Sequence, residues 1–100
     1  MARRLRFADP AVADLKEIWN YTDAEWGTAQ ADRYTAELGA AAQTLLSNPL
    51  RTRPVDFSPI IRRLKAQHHY LYFRPEQGDV VVLRILHEKM DPARHLSDLA

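Results

Sequence analysis

Residues 87–96, HEKMDPARHL, gather two histidines, two acids and two bases at the end of an apolar run. His87 and Glu88 open as a zinc-protease motif would. H-E-x-x-H requires histidine at 91, however, where Asp91 stands, and Pro92 would interrupt the helix that motif needs. His87, Asp91 and His95 recur at four-residue steps, but on a tail without fixed geometry they make no metal site, and no metal is expected. His68 and His69 are neighbours on a strand-like run, so they point to opposite faces and cannot act together; one belongs to the surface. The serines, Ser47, Ser58 and Ser97, lie outside any G-x-S-x-G elbow. Glycines at 27, 39 and 78 alone cannot form a phosphate loop, so no cofactor is expected. One chemistry remains open, cleavage of RNA. Arg62, Arg63 or Arg84 would stabilise a phosphorane, and His87 would act as general acid or base near neutral pH. In the plainer reading, Arg62 and Arg84 lie across strands and offset acidic helices, or bind a carboxylate-rich partner.

The elements that must position these residues are legible from periodicity. Arg3 to Phe7 alternates charge with Leu5 and Phe7, the pattern of a short half-buried strand. Asp9 followed by Pro10 predicts a helix start, with the Asp9 carboxylate as cap. Ala11, Leu15, Ile18, Trp19, Thr22 and Trp26 then share one face, with Asp14, Lys16, Glu17 and Asp23 elsewhere. Gly27 offers a C-terminal cap, and Thr28 is expected to cap a second helix running to Asn48 and Pro49. Trp19 and Tyr34 are expected in the core, and Trp26 as the plug of the hairpin's corner. Three strands follow the loop LRTRPVDFSP, over 60–65, 69–74 and 80–86. PEQGD makes a hairpin turn between the last two. The apolar run 70–73 predicts a central strand. The fold class is therefore α+β: a strand, a helical hairpin, then a three-stranded antiparallel sheet with a C-terminal tail.

One hundred residues, 46% apolar, suit one small domain spanning 1–100. Without cysteine it is held by packing alone and suits a reducing cytoplasm. MARRLRF leads straight into Asp9 and Pro10, so no secretory signal is expected, and no run approaches the ~18 apolar residues of a membrane span. Charge is unevenly spread. Residues 9–48 hold seven acids against Lys16 and Arg33, whereas 51–84 hold seven bases against Asp56, Glu76 and Asp79. Such a field favours an anionic partner on the basic side.

Together, DLKEIWNY at 14–21, WG at 26–27, NP at 48–49, RR at 62–63 and RILHEKMDPARHL at 84–96 resemble the ParE branch of the RelE/ParE toxin superfamily. The resemblance covers nearly the whole chain. It implies a toxin of a bacterial type II toxin-antitoxin pair that inhibits DNA gyrase by binding and is neutralised by a ParD-like antitoxin with an acidic, initially disordered segment. The antitoxin would meet Arg51, Arg53, Arg62, Arg63 and Arg84. Arg84 through Leu96 would be a recognition tail, anchored by Leu86, with Met90, Asp91, Arg94 and His95 presented outward to the target. RelE-like relatives instead cut messenger RNA on the ribosome with basic sheet residues and a His or Tyr near the last strand, where Arg62, Arg63, Arg84 and His87 would serve. Glu88 stands where some of those nucleases place Tyr, and the loop at 50–60 lacks lysine and glutamate, so that set is incomplete. A third reading keeps only antitoxin binding and regulation of the operon.

Overall fold

Leu5–Phe7 forms strand β1, shorter than its alternation predicts, and it lies parallel to the last strand of the sheet. The computed structural model describes residues 3–99. After β1 come helices α1 (Asp9–Trp26) and α2 (Thr28–Thr44), strands β2 (Arg62–Ala66), β3 (His69–Glu76) and β4 (Asp79–His87), and a short helix α3 (Pro92–Leu96). The sheet order is β1-β4-β3-β2, so β1 extends the expected antiparallel meander into a four-stranded mixed sheet. Among the described residues no helix is long and apolar enough to cross a membrane.

Both helix starts differ from expectation. Ala8 occupies the cap of α1 and makes no side-chain cap bond, while Asp9 and Pro10 lie inside the first turn. Asp9 therefore acts there by its charge on the positive end of the helix dipole. Gly27, at φ +94°, ends α1 by donating its N–H to the Asp23 carbonyl and also caps α2. Thr28 caps nothing; its hydroxyl donates to Asp23 Oδ1 at 2.7 Å. The second helix stops at Thr44, ahead of the 3-10 turn at Pro49–Arg51.

The turn between β3 and β4 is a two-residue one. Gln77 (φ 50°) and Gly78 (φ 88°) both adopt left-handed backbone, and Glu76 pairs with Asp79. This geometry matches the twist of the flanking strands. The hairpin covers one face of the sheet, burying Ala11, Leu38, Ala42 and Leu45 against Leu71, Phe73, Val80, Val82 and Ile85. The other face carries a smaller cluster of Ile61, Tyr72, Val81, Leu83, Leu86 and Leu96. A bulge makes both clusters possible. Tyr72 pairs with Arg84 and Phe73 with Val82, so Leu83 is an extra residue. It switches the alternation of β4, bringing Ile85 to the hairpin side together with Val80 and Val82.

Candidate functional site

The parallel β1–β4 ladder ends at the Phe7–Val82 pair, and α1 then passes along the unpaired edge of β4. Asp14 fills the gap. Its carboxylate accepts the Ile85 N–H at 2.9 Å and the Arg84 guanidinium through Nε at 2.8 Å and Nη2 at 3.0 Å. The pair is largely withdrawn from water, at 10% and 22% side-chain exposure. The bond to Asp14 raises the Arg84 pKa further, so this guanidinium stays charged and committed. Amphipathic patterning sets Asp14 among the solvated residues; in the structure it is buried.

Beyond Ile85 the strand ends assemble an aromatic and imidazole chain. His69 pairs with His87 across β3 and β4, their rings edge to face at 5.2 Å, and Tyr34 of α2 packs edge to face on His69. The Tyr34 hydroxyl accepts the His68 N–H at 3.2 Å and shares a hydrogen bond of 2.6 Å with His69 Nδ1. Burial, then the neighbouring His87 and His68, push the His69 pKa down to about 4. His87 Nδ1 accepts the Lys89 N–H. His68 lies in the two-residue turn between β2 and β3, not on a strand as expected, and borders the same groove as His69; it is exposed and bonds Glu88 at 2.7 Å. That bond and Lys65, 3.2 Å from the other oxygen, hold the Glu88 carboxyl below its ordinary value. The chain faces a groove of about 770 Å3 between the hairpin and the ends of β3 and β4, bordered by Ile18, Tyr21, Trp26 and Met90.

Of the residues expected to cleave RNA, Arg84 and His87 line the same groove, but Arg62 and Arg63 do not join them. Arg62 pairs with Phe73 and His87 with His69, four residues apart along β3, which is roughly 13 Å of strand. Arg62 donates to the Thr52 carbonyl. Arg63 alternates to the other face, where its guanidinium lies 4.3 Å from the Tyr70 ring centre. Arg84 is held by Asp14.

Of the arginines expected to meet an antitoxin, Arg51, Arg53 and Arg63 are exposed, whereas Arg62 and Arg84 are half-buried with intramolecular partners. Arg53 and Arg63 line a cleft of about 540 Å3 together with Phe57 and the tail residue Asp91. Met90, Asp91, Arg94 and His95 all face solvent. Their segment is fastened by Leu96, fully buried against the cluster that holds Leu86, and Asp91 caps α3 by accepting the Ala93 N–H. Among the described residues no three metal-ligating side chains gather.

The aromatic expectations divide. Tyr34 is half-buried and packs against the hairpin-side core, and Trp19 is half-buried with its indole N–H donating to Asp32. Trp26 is 74% exposed and plugs nothing. Sequence reasoning missed Asp14, Tyr34 and His69 as parts of the site. A carboxylate inside an otherwise apolar helical face was the available signal for the first.

Comparison with known proteins identifies the family and the fold. The family described as "ParE toxin of type II toxin-antitoxin system, parDE" matches residues 5–92. The chain belongs to the ParE toxin family. Toxin ParE1 of Mycobacterium tuberculosis is 38% identical over 98 residues, covering 96% of this chain and all of the relative. Toxin ParE of Escherichia coli is 40% identical over 91 residues, covering 88% and 87%. The fold is shared with a solved structure described as a chromosomal ParDE toxin-antitoxin system from P. aeruginosa, at TM-score 0.78 and 21% identity, covering 86% of this chain and 96% of the other. The ParE match ends at Pro92, so Arg94 and His95 lie beyond it.

Proposed function

We propose that this ParE-family chain is a cytoplasmic toxin that inhibits DNA gyrase by binding it, and that a ParD-like antitoxin neutralises it. The observation that carries the binding reading is the dispersal of its cations. Arg62 and Arg84 are committed to Thr52 and Asp14, Arg63 lies on the sheet face opposite Arg62, and His87 shares its groove with Arg84 alone, four strand residues away from Arg62. General acid–base catalysis needs such groups within reach of one scissile phosphate. A binding toxin needs only a higher affinity for one state of its target, here gyrase with its DNA cleaved.

The antitoxin's acidic segment would be met by Arg51, Arg53 and Arg63, whose planar forks suit carboxylates. The cleft that brings Arg53 and Arg63 beside Asp91 supports an interface continuous with the tail, where Met90, Asp91, Arg94 and His95 would contact the target. Growth arrest by the His87→Ala variant tests the reading. A binding toxin retains arrest in this variant at unchanged protein level. Loss of arrest in a folded His87→Ala protein, with messenger RNA cleaved by the parent, would favour the ribosome-dependent endonuclease instead.

A further inference from the structure

Four cations beside the tail have no carboxylate partner. Arg53, Arg63, Lys89 and Arg94 are all exposed, and none takes part in an ion pair among the described residues, whereas Arg4, Arg6, Lys65, Arg74 and Arg84 all do. The fold gathers the four from distant parts of the chain. Arg53 and Arg63 line the 540 Å3 cleft with Asp91, Pro92 and Ala93, and Lys89 stands two residues before that tail segment and Arg94 directly after it. Two of them sit on firm supports. The Arg63 guanidinium rests 4.3 Å from the Tyr70 ring centre, and Arg94 stands on α3, which buried Leu96 fastens to the sheet. Of the two acids in the cleft, Asp91 is turned to the Ala93 N–H, which leaves Asp56 as the one competing carboxylate.

Several exposed, unpaired cations on one surface suit a run of phosphates better than a single counter-charge. The helix beside them, α3, is five residues long and too short to read bases along a groove, so phosphates and not sequence would be recognised. We infer that Arg53, Arg63, Lys89 and Arg94 contact the phosphate backbone of duplex DNA, the segment that gyrase holds, so that the toxin binds the enzyme and its DNA together. This contact rests on the gyrase reading and supplies what that reading requires. To favour the cleaved state a binding toxin must touch something that differs between states, and the cleaved DNA is such a part. Four phosphate contacts alone give weak, sequence-independent binding, with a dissociation constant of about 1–100 μM at physiological salt. A protein contact to gyrase made at the same time raises their effective concentration. An acidic antitoxin segment would present the same anionic chemistry to Arg53 and Arg63 and compete with the DNA.

Fluorescence anisotropy of a labelled DNA duplex, titrated with the purified full chain between about 50 and 200 mM salt, tests the contact without gyrase. Binding is expected, with log affinity falling against log salt at a slope of about −3 to −4, the counterion release of four phosphates. Arg53→Gln, Lys89→Gln and Arg94→Gln together, at exposed side chains without ion-pair partners, should reduce affinity roughly tenfold or more and bring the slope to about −1. Lys16→Gln, on the hairpin, should change neither, and Asp56→Asn should tighten binding by about two- to threefold. No binding by a chain shown folded by circular dichroism would overturn the inference, as would a triple variant that binds like the parent. Tighter binding of single-stranded RNA of equal length would also overturn it and make RNA the partner. In a gyrase supercoiling reaction the triple variant should trap less cleaved DNA than the parent at equal concentration. Equal trapping by both would leave the gyrase reading standing and overturn the DNA contact. A parent that binds the duplex with this salt dependence yet traps nothing would uphold the contact and overturn the gyrase reading.

Discussion

Asp14 accepts three hydrogen bonds where α1 crosses β4, two from Arg84 and one from the Ile85 N–H. Truncating it strands a half-desolvated guanidinium and an unpaired Ile85 N–H. Asp14→Ala should therefore cost about 3 kcal/mol in urea denaturation, and adding Arg84→Met should restore part of it. A loss below about 1 kcal/mol would mean that solvent screens the pair as it screens a surface bridge. The sequence offered Arg84 as a partner of the acidic helices, but amphipathic patterning assigns Asp14 to water, and the strand register is needed to show the gap that Asp14 fills. His69 was legible as strand residue but not as a member of a site, since its partners Tyr34 and His87 lie far away in the chain. Its pKa falls from an ordinary 6.5 to about 4, so the unfolded chain takes up this proton first as pH drops. Stability from His69 is complete above pH 7, is lost between 6.5 and 4, and changes no further below. The loss is about 2 kcal/mol after discounting for the ring's partial exposure. In His69→Gln that part of the slope should vanish from denaturation midpoints measured between pH 7 and 4.5; an unchanged slope would assign it to carboxylates.

At the scale of elements, the helical hairpin and the three antiparallel strands follow from apolar period, Gly27 and the Gln77–Gly78 turn, all readable in the chain. The bulge at Leu83 was not readable, because Val80 to Leu83 is continuously apolar and leaves the alternation without a mark. Nor was the role of α3. The tail was expected to be anchored by Leu86, and it is fastened equally by Leu96, which seals the second cluster against Ile61, Tyr72 and Leu83. Leu96→Ala should cost about 3 kcal/mol by opening a cavity there, measured by chemical denaturation. A cost near zero would show that α3 detaches in solution. Removing residues 91–100 exposes the same cluster, so lost toxicity in such a truncation would mix recognition with stability. Met90→Ala and Arg94→Ala, at exposed positions, separate the two, and each should weaken growth arrest while leaving the denaturation midpoint unchanged.

Over the whole molecule, the acidic hairpin and the basic remainder were visible in the order of charges along the chain, and the fold keeps them apart on different elements. What the order could not give is which cations remain available, since Arg62 and Arg84 are consumed internally. That accounting favours recognition over catalysis and makes gyrase binding the central claim. Titration of the purified chain into a gyrase supercoiling reaction, with linear DNA scored after protein digestion and a ParD-like antitoxin as rescue, tests it most directly. The account predicts lost supercoiling with trapped cleaved DNA, both reversed by antitoxin. Full supercoiling at toxin concentrations well above the enzyme's would contradict it.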